Sequence, residues 1–254
     1  MLATAPSNAV AEHRFAPHHR WDPRGLQILL ALIWLGVLMG FGGSIAKHFA
    51  KHDLDYPLIV HVHAAAFVGW MALFTTQMVL IRSHQHALHK KLGLFGVGLA
   101  AFMVVIGPIT AIVTARLHFG MPDSDPAFLA VSFSSILNFA VLVTAALLLR
   151  RQGPSHKRLM MLGLLALAPA GFARWLGGPI IGMVGPGPLG MWCLLYLITT
   201  ALVLSIGVHD LVTRRRLLPA YVLGAAFSLG VQVASAWLLF SPAWLALMKQ
   251  LVAH

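Results

Sequence analysis

The stretch "HVHAAAFVGWMALFTTQMVLIRSHQHALHKKLGLFGV" (His61–Val97) carries the pattern that decides the fold. It is apolar as far as Ile81, polar and basic between Arg82 and Lys91, and apolar again from Leu92. A helix rises about 1.5 Å per residue and the hydrocarbon core is about 30 Å thick, so roughly 20 apolar residues are enough to cross. Backbone groups in lipid need partners within their own segment, which makes such a run a helix. The stretch therefore predicts one membrane helix, a short basic loop and the start of the next.

The rest of the chain repeats that pattern. Apolar runs at 26–46, 57–81, 92–116, 127–149, 159–184, 189–209 and 218–246 predict an all-α bundle of seven transmembrane helices. A polar tail, 1–25, precedes the transmembrane domain, 26–246, and a short outer tail, 247–254, follows it. The tail lacks the apolar core of a signal peptide, so the first span is expected to stay as an anchor. The fifth span contains Pro169, Gly177, Gly178 and Pro179 and is expected to kink or break. Composition agrees: 59% of the 254 residues are hydrophobic and 10% are charged, against about a quarter charged in soluble domains.

A net charge of +11 would suggest nucleic acid in a soluble protein. Here the charges flank the spans, so they report topology and not a nucleic-acid partner. One set of loops collects Arg82, Lys90, Lys91, Arg150, Arg151, Lys157, Arg158 and Arg214 to Arg216, with Arg14, Arg20 and Arg24 in the tail. The other set has few cations, mixed with Asp53, Asp55, Asp123 and Asp125. This bias predicts a cytoplasmic N-terminus and an outer C-terminus in a bacterial inner membrane.

Two basic loops share a phrase. "HALHKKLGLFGV" from His86 and "PSHKRLMMLGLL" from Pro154 both run histidine, two basic residues, leucine. Each opens a span, so spans two–three and four–five read as a parallel internal repeat about an axis normal to the membrane. His89 and His156 then lie at one depth and can share a ligand.

Of the fourteen histidines, His13, His18 and His19 lie in the tail and His254 ends the chain; the other ten gather at the two faces. The inner group is His84, His86, His89, His156 and His209; the outer group is His48, His52, His61, His63 and His118. Imidazole binds haem iron, zinc and copper and titrates near neutrality. His89, His156 and His209 are candidate inner ligands of a b-type haem or metal ion, and His63 a candidate outer one. The face His63, Phe67, Trp70, Phe74 and Gln77 is expected to point into the bundle. His61 and His63, two residues apart, point to nearly opposite sides. Arg174 lies well inside the fifth span with no acidic residue inside any span to pair it. It is a candidate contact for a bound anion such as a haem propionate. Ser228, Gln232 and Ser235 form a stripe expected to bond a neighbouring helix, and Gly36 with Gly40 makes a GxxxG packing device.

Other chemistries are disfavoured. There is one glutamate, Glu12, and no acidic pair, phosphate-binding glycine loop or His-Glu-x-x-His. The lone cysteine, Cys193, leaves no intrachain disulfide and no cysteine-based metal site.

The segments "HVHAAAFVGWMALFTTQMVLIRSHQHALHKKLG" (61–93), "SHKRLMMLG" (155–163) and "HDLVTRRRLLPAYVLG" (209–224) resemble a group of bacterial multi-spanning inner-membrane proteins with a His-Lys/Arg-x-Leu-Gly loop motif. That resemblance runs from about Tyr56 to Gly224 and implies location, not activity. A histidine and basic pair ahead of Leu-Gly is more loosely similar to transmembrane b-type cytochromes and ferric-reductase-like domains. That likeness implies haem b on His63, His89, His156 and His209. Those families space two histidines along one helix, and here no span does so. The expected function is electron transfer through haem or a transition metal ion, with quinone as a candidate partner. A proton-coupled small-molecule transporter and a subunit of a larger membrane complex are the alternatives.

Overall fold

The computed structural model describes residues 15–16, 19–51, 56–121 and 124–253. His13, His18, His52, His254, Arg14, Glu12, Asp53, Asp55 and Asp123 lie outside the described residues, as does the side chain of His48.

The described residues form helices α1 (Asp22–Lys51), α2 (Leu58–Arg82), α3 (His86–Leu117), α4 (Leu129–Leu148), α5 (Gly153–Leu167), α6 (Pro169–Val184), α7 (Pro188–Arg214), α8 (Pro219–Leu239) and α9 (Pro242–Ala253), with a 3-10 turn at Pro126–Phe128 and no strand. Proline stands in the first turn of α1, α5, α6, α7, α8 and α9. Its fixed φ suits that position, and the N–H it lacks would have no partner inside the helix there.

Six stretches are long and apolar enough to cross a membrane: 22–43, 58–82, 86–117, 126–148, 188–214 and 219–239. The expected fifth span is two helices, α5 and α6, meeting at 53°. Counted as one bent span, the pair brings the total to seven. Pro169 supplies no N–H to continue α5, and Ala168 N–H bonds back to Leu165 O in a tight last turn.

Two boundaries differ from the sequence expectation. Helix α1 begins at Asp22, inside the expected polar tail, because Asp-Pro is itself a helix start. The expected span 218–246 ends at Leu239, and Ser241-Pro242 starts α9. Helix α9 packs on the 3-10 turn and on α3. Trp244 Nε1–H donates to Ala127 O at 3.0 Å, and Arg116 caps Leu251 O at 3.0 Å.

Helix α5 is the axis of the bundle. Residues Met161 to Ala166 are buried all round, as expected of a helix packed on every side. It lies against α4, α7 and α8. The outward faces stay apolar: Leu94, Leu148 and Leu223 are each more than 70% exposed, which suits lipid contact and not water.

Polar side chains join the helices. The stripe on α8 does bond its neighbours, and it serves two of them. Ser228 donates to Asn138 of α4 at 3.0 Å; Gln232 and Ser235 accept from Thr200 and Tyr196 of α7, each at 2.8 Å. Trp70 and Phe74 of the α2 stripe are core residues, with Trp70 edge-on to Phe139 at 5.1 Å.

Gly36 and Gly40 let α1 approach α6. A Cβ at Gly40 would lie 2.1 Å from Gly171 O, whereas one at Gly42 would meet nothing within 4 Å. Gly40→Ala should therefore force α1 off α6 and lower stability by about 1–3 kcal/mol. Gly42→Ala should be neutral or slightly stabilising. Thermal unfolding in detergent checks the contrast; equal melting temperatures for both variants would contradict this packing.

Candidate functional site

At the basic-loop end, five side chains from three helices meet. Asp22 heads α1, Lys157 and Arg158 lie in the second turn of α5, and Asp210 and Arg214 lie near the end of α7. Arg158 binds Asp210 with two N–H groups, Nε at 2.6 Å from Oδ2 and Nη2 on Oδ1. Asp210 is fully buried and the Arg158 side chain is 3% exposed. Arg214 forks onto Asp22, with Nη2 at 2.8 and 2.7 Å from its two oxygens, and reaches Asp210 at 3.4 Å. Lys157 donates to Asp22 Oδ2. Bidentate guanidinium–carboxylate geometry of this kind can offset the desolvation of buried charge. Phe15 covers the network from the loop side, with the Arg158 and Arg214 guanidinium carbons 4.7 and 4.9 Å from its ring centre.

His209 completes the cluster. A carboxylate only accepts, so its contact with Asp22 Oδ1 at 3.1 Å makes Nε2 the donor. A neutral His209 then keeps its lone pair on Nδ1. The ring lies against α1 at Gly25, where a Cβ would be 3.4 Å away.

From this cluster a cleft of about 300 Å³ runs between α1 and α7. Ile28, Leu29 and Leu32 form one wall and Leu202 and Ile206 the other, with Ser205 the polar exception. Its closed end is Asp22, Lys157, Arg158, His209 and Asp210. Ile28 and Leu32 are exposed on the apolar exterior, so the mouth opens sideways. Apolar walls leading to a few convergent polar groups are the usual form of a small-molecule site.

The other expected site residues lie apart from this cluster. His89 and His156 each occupy the fourth position of a helix, behind a glutamine N-cap, Gln85 or Gln152. The shared phrase is thus longer than the basic pair: glutamine, three residues, histidine, two cations, leucine. A glycine follows seven residues after each histidine and packs on the preceding helix, Gly96 on Leu73 and Gly163 on Val143. The two histidines lie within range of each other's charge, and His156 reaches α4. His156 Nδ1–H donates to Ala146 O at 2.8 Å. The matching acceptor in the first unit, Val79 O, is taken by Ser83. Nδ1 of His89 is buried without a hydrogen-bond partner, as is Oε1 of Gln77, whose amide N–H donates to His89 O at 3.2 Å.

His63 lies on α2 near the opposite end, half-buried, and His61 is exposed. Arg174 lies on α6, beyond the bend at Pro169. Its guanidinium stacks 4.6 Å from the ring centre of Phe41, near the end of the α1 span, and Tyr56 is within range of its charge. Nη1 donates to Ala170 O at 3.0 Å, and among the described residues no carboxylate pairs with it. No group of three or more His, Cys, Asp or Glu side chains that could hold a metal ion occurs among the described residues.

The chain matches no known protein family, no curated protein and no solved structure.

Removing Asp210 would leave Arg158 buried without its partner. Asp210→Asn should cost about 3–5 kcal/mol, whereas the paired change Arg158→Leu with Asp210→Leu should recover most of that loss. Denaturation in detergent of the single and double variants measures this. A double variant no more stable than the single one would argue against the pair.

Proposed function

We propose that the protein is a multi-pass component of the bacterial inner membrane that takes a lipid-soluble ligand sideways from the bilayer into the cleft between α1 and α7. Its basic loops and N-terminus face the cytoplasm, α5 and α6 make one bent span of seven, and α2–α3 and α4–α5 form a parallel repeat. The lateral cleft ending at Lys157, His209 and the two carboxylates carries this reading. Its apolar walls suit a chain or ring from the lipid phase, and its closed end suits a hydrogen-bonding head. The repeat is supported by the two Gln-x-x-x-His helix starts, and the topology by the cation bias of the loops.

Electron transfer is the role that the histidines favour. A quinone head presents a carbonyl oxygen that the Lys157 ammonium can hydrogen-bond, and its reduced form presents a hydroxyl that can donate to His209 Nδ1. On the face of α5 turned towards α4, His156 has the orientation of a ligand: its Nδ1–H rests on a carbonyl, which leaves Nε2 with its lone pair. With His89 beside it, this is where haem b or a metal ion would be held, and its chemistry would be one-electron transfer. The cleft itself fits haem poorly, because among the described residues His209 is the only imidazole that lines it and bis-imidazole ligation needs two. Haem propionate contact by Arg174, and ligation by His63 or His209, have no support from proximity to His89 and His156.

Two measurements test these roles. Organic extracts of the purified protein should contain a stoichiometric lipid-phase ligand, and Leu32→Trp, which fills the cleft, should deplete it several-fold. An equal amount from both proteins would remove the cleft as its site. For haem, protein from haem-replete cells should show a Soret band that sharpens with dithionite and is lost in His156→Ala. A colourless wild-type protein without stoichiometric metal would end the haem and metal reading and leave the cleft untouched.

A further inference from the structure

The break between α5 and α6 lies against a second, smaller cavity, separate from the cleft. Pro169 lines it at the break, together with the polar side chains Ser134, Ser135 and Asn138 of α4, Tyr196 of α7 and Gln232 of α8. Asn138 stands midway along the span 126–148, which puts the cavity at the depth of the hydrocarbon core.

The amides of Asn138 and Gln232 are each bonded at one end only. Asn138 Oδ1 accepts from Ser228 and Gln232 Oε1 accepts from Thr200. Their amide nitrogens make no hydrogen bond with any described residue, although the two side chains are only 3% and 5% exposed. The hydroxyls of Ser134 and Ser135 are in the same position. Thr75 and Thr110 turn their hydroxyls back onto the carbonyl one turn earlier, and these two serines do not. Buried donors without acceptors are costly, so four polar groups converging on one space point to an occupant.

The lining defines that occupant. With both amide oxygens engaged, N–H donors face the cavity, which suits an acceptor and not a cation. No charged side chain lines it, and a bare ion in such surroundings would be far more costly than the unpaired amides. The volume is about 10 Å³, roughly the room that one water needs. Water accepts twice and donates twice, which matches two amides and two serine hydroxyls.

We propose that this cavity is a binding site for a single water molecule, which accepts from Asn138 Nδ2 and Gln232 Nε2 beside the α5–α6 break and donates to Ser134 and Ser135. The site accounts for where the break stands. Pro169 has no N–H to continue α5, and irregular backbone at membrane depth persists where it is buried in protein or lines a hydrated cavity. The bound water would join α4 and α8 across the bend. None of its partners lines the cleft between α1 and α7, so the two sites stand or fall separately.

Radiolytic footprinting of the full chain in nanodiscs, in water enriched in heavy oxygen, tests this. X-ray pulses split water where it is bound, and the radical labels the side chain beside it. Tyr196 and Tyr221 are matched probes, 2% and 4% exposed, and Tyr221 lines neither this cavity nor the cleft. In the wild type Tyr196 should take up heavy oxygen several-fold faster than Tyr221. Gln232→Met, which keeps the bulk and removes the donor, should lower Tyr196 to the rate of Tyr221. Thr200→Val, which breaks the Thr200–Gln232 bond but keeps the amide, should leave Tyr196 fast. Equal rates for the two tyrosines in the wild type would overturn the proposal. So would fast labelling that survives Gln232→Met. Loss of the label in Thr200→Val as well would tie it to the packing of α7 on α8, and would also overturn the assignment to the amide.

Discussion

The buried pairing of Arg158 with Asp210 is the constraint on which the basic end of the bundle depends. Arg158 lies on α5, the helix packed on every side, where an unpaired guanidinium would be costly. Asp210 answers it from α7, and Arg214, one turn further on, reaches across to Asp22 on α1. Three helices far apart in the chain are thus fixed in register by two carboxylates. Charge-assisted bonds are directional in a way that lipid-facing leucines are not, so the cluster sets which faces of α1, α5 and α7 meet.

That fixed register explains the cleft. Along most of its length α1 leans on α6, where Gly36, Gly40 and Gly171 remove the side chains that would hold the backbones apart. Near the basic end it is tied to α5 and α7 through Asp22. Between these two attachments the α1 wall at Ile28 and Leu32 stands away from Leu202 and Ile206. The space left is apolar along its sides and charged at its end. The same α5 carries His156, one residue before Lys157 and so about 100° round the helix from it.

Much of the fold was legible in the sequence because lipid restricts what a chain can do. Apolar runs of sufficient length have to be helices, so the long spans could be read from hydropathy alone. Pro169 announced the break, and the spacing of Ser228, Gln232 and Ser235 announced a bonded stripe. The ion cluster was not legible. Asp22 and Asp210 are far apart in sequence, and Asp22 reads as tail until Asp-Pro is taken as a helix start. The rarity of acidic residues was the signal available: only seven occur, and two stand where apolar helices begin or end. The glutamines ahead of His89 and His156 were visible as letters, but only the helix starts give them equivalent positions.

Photolabelling most directly tests the claim that this cleft takes a ligand from the lipid phase. A diazirine-bearing amphiphile, added to the protein in nanodiscs and activated by light, can be mapped by peptide mass spectrometry. Labels should concentrate on Ile28 to Leu32 and on Leu202 to Ile206, and excess unlabelled amphiphile should compete them away. Labelling spread evenly over lipid-facing positions such as Leu94, Val105 and Leu223, and insensitive to competitor, would mean that the cleft is only a gap in the annular lipid contact.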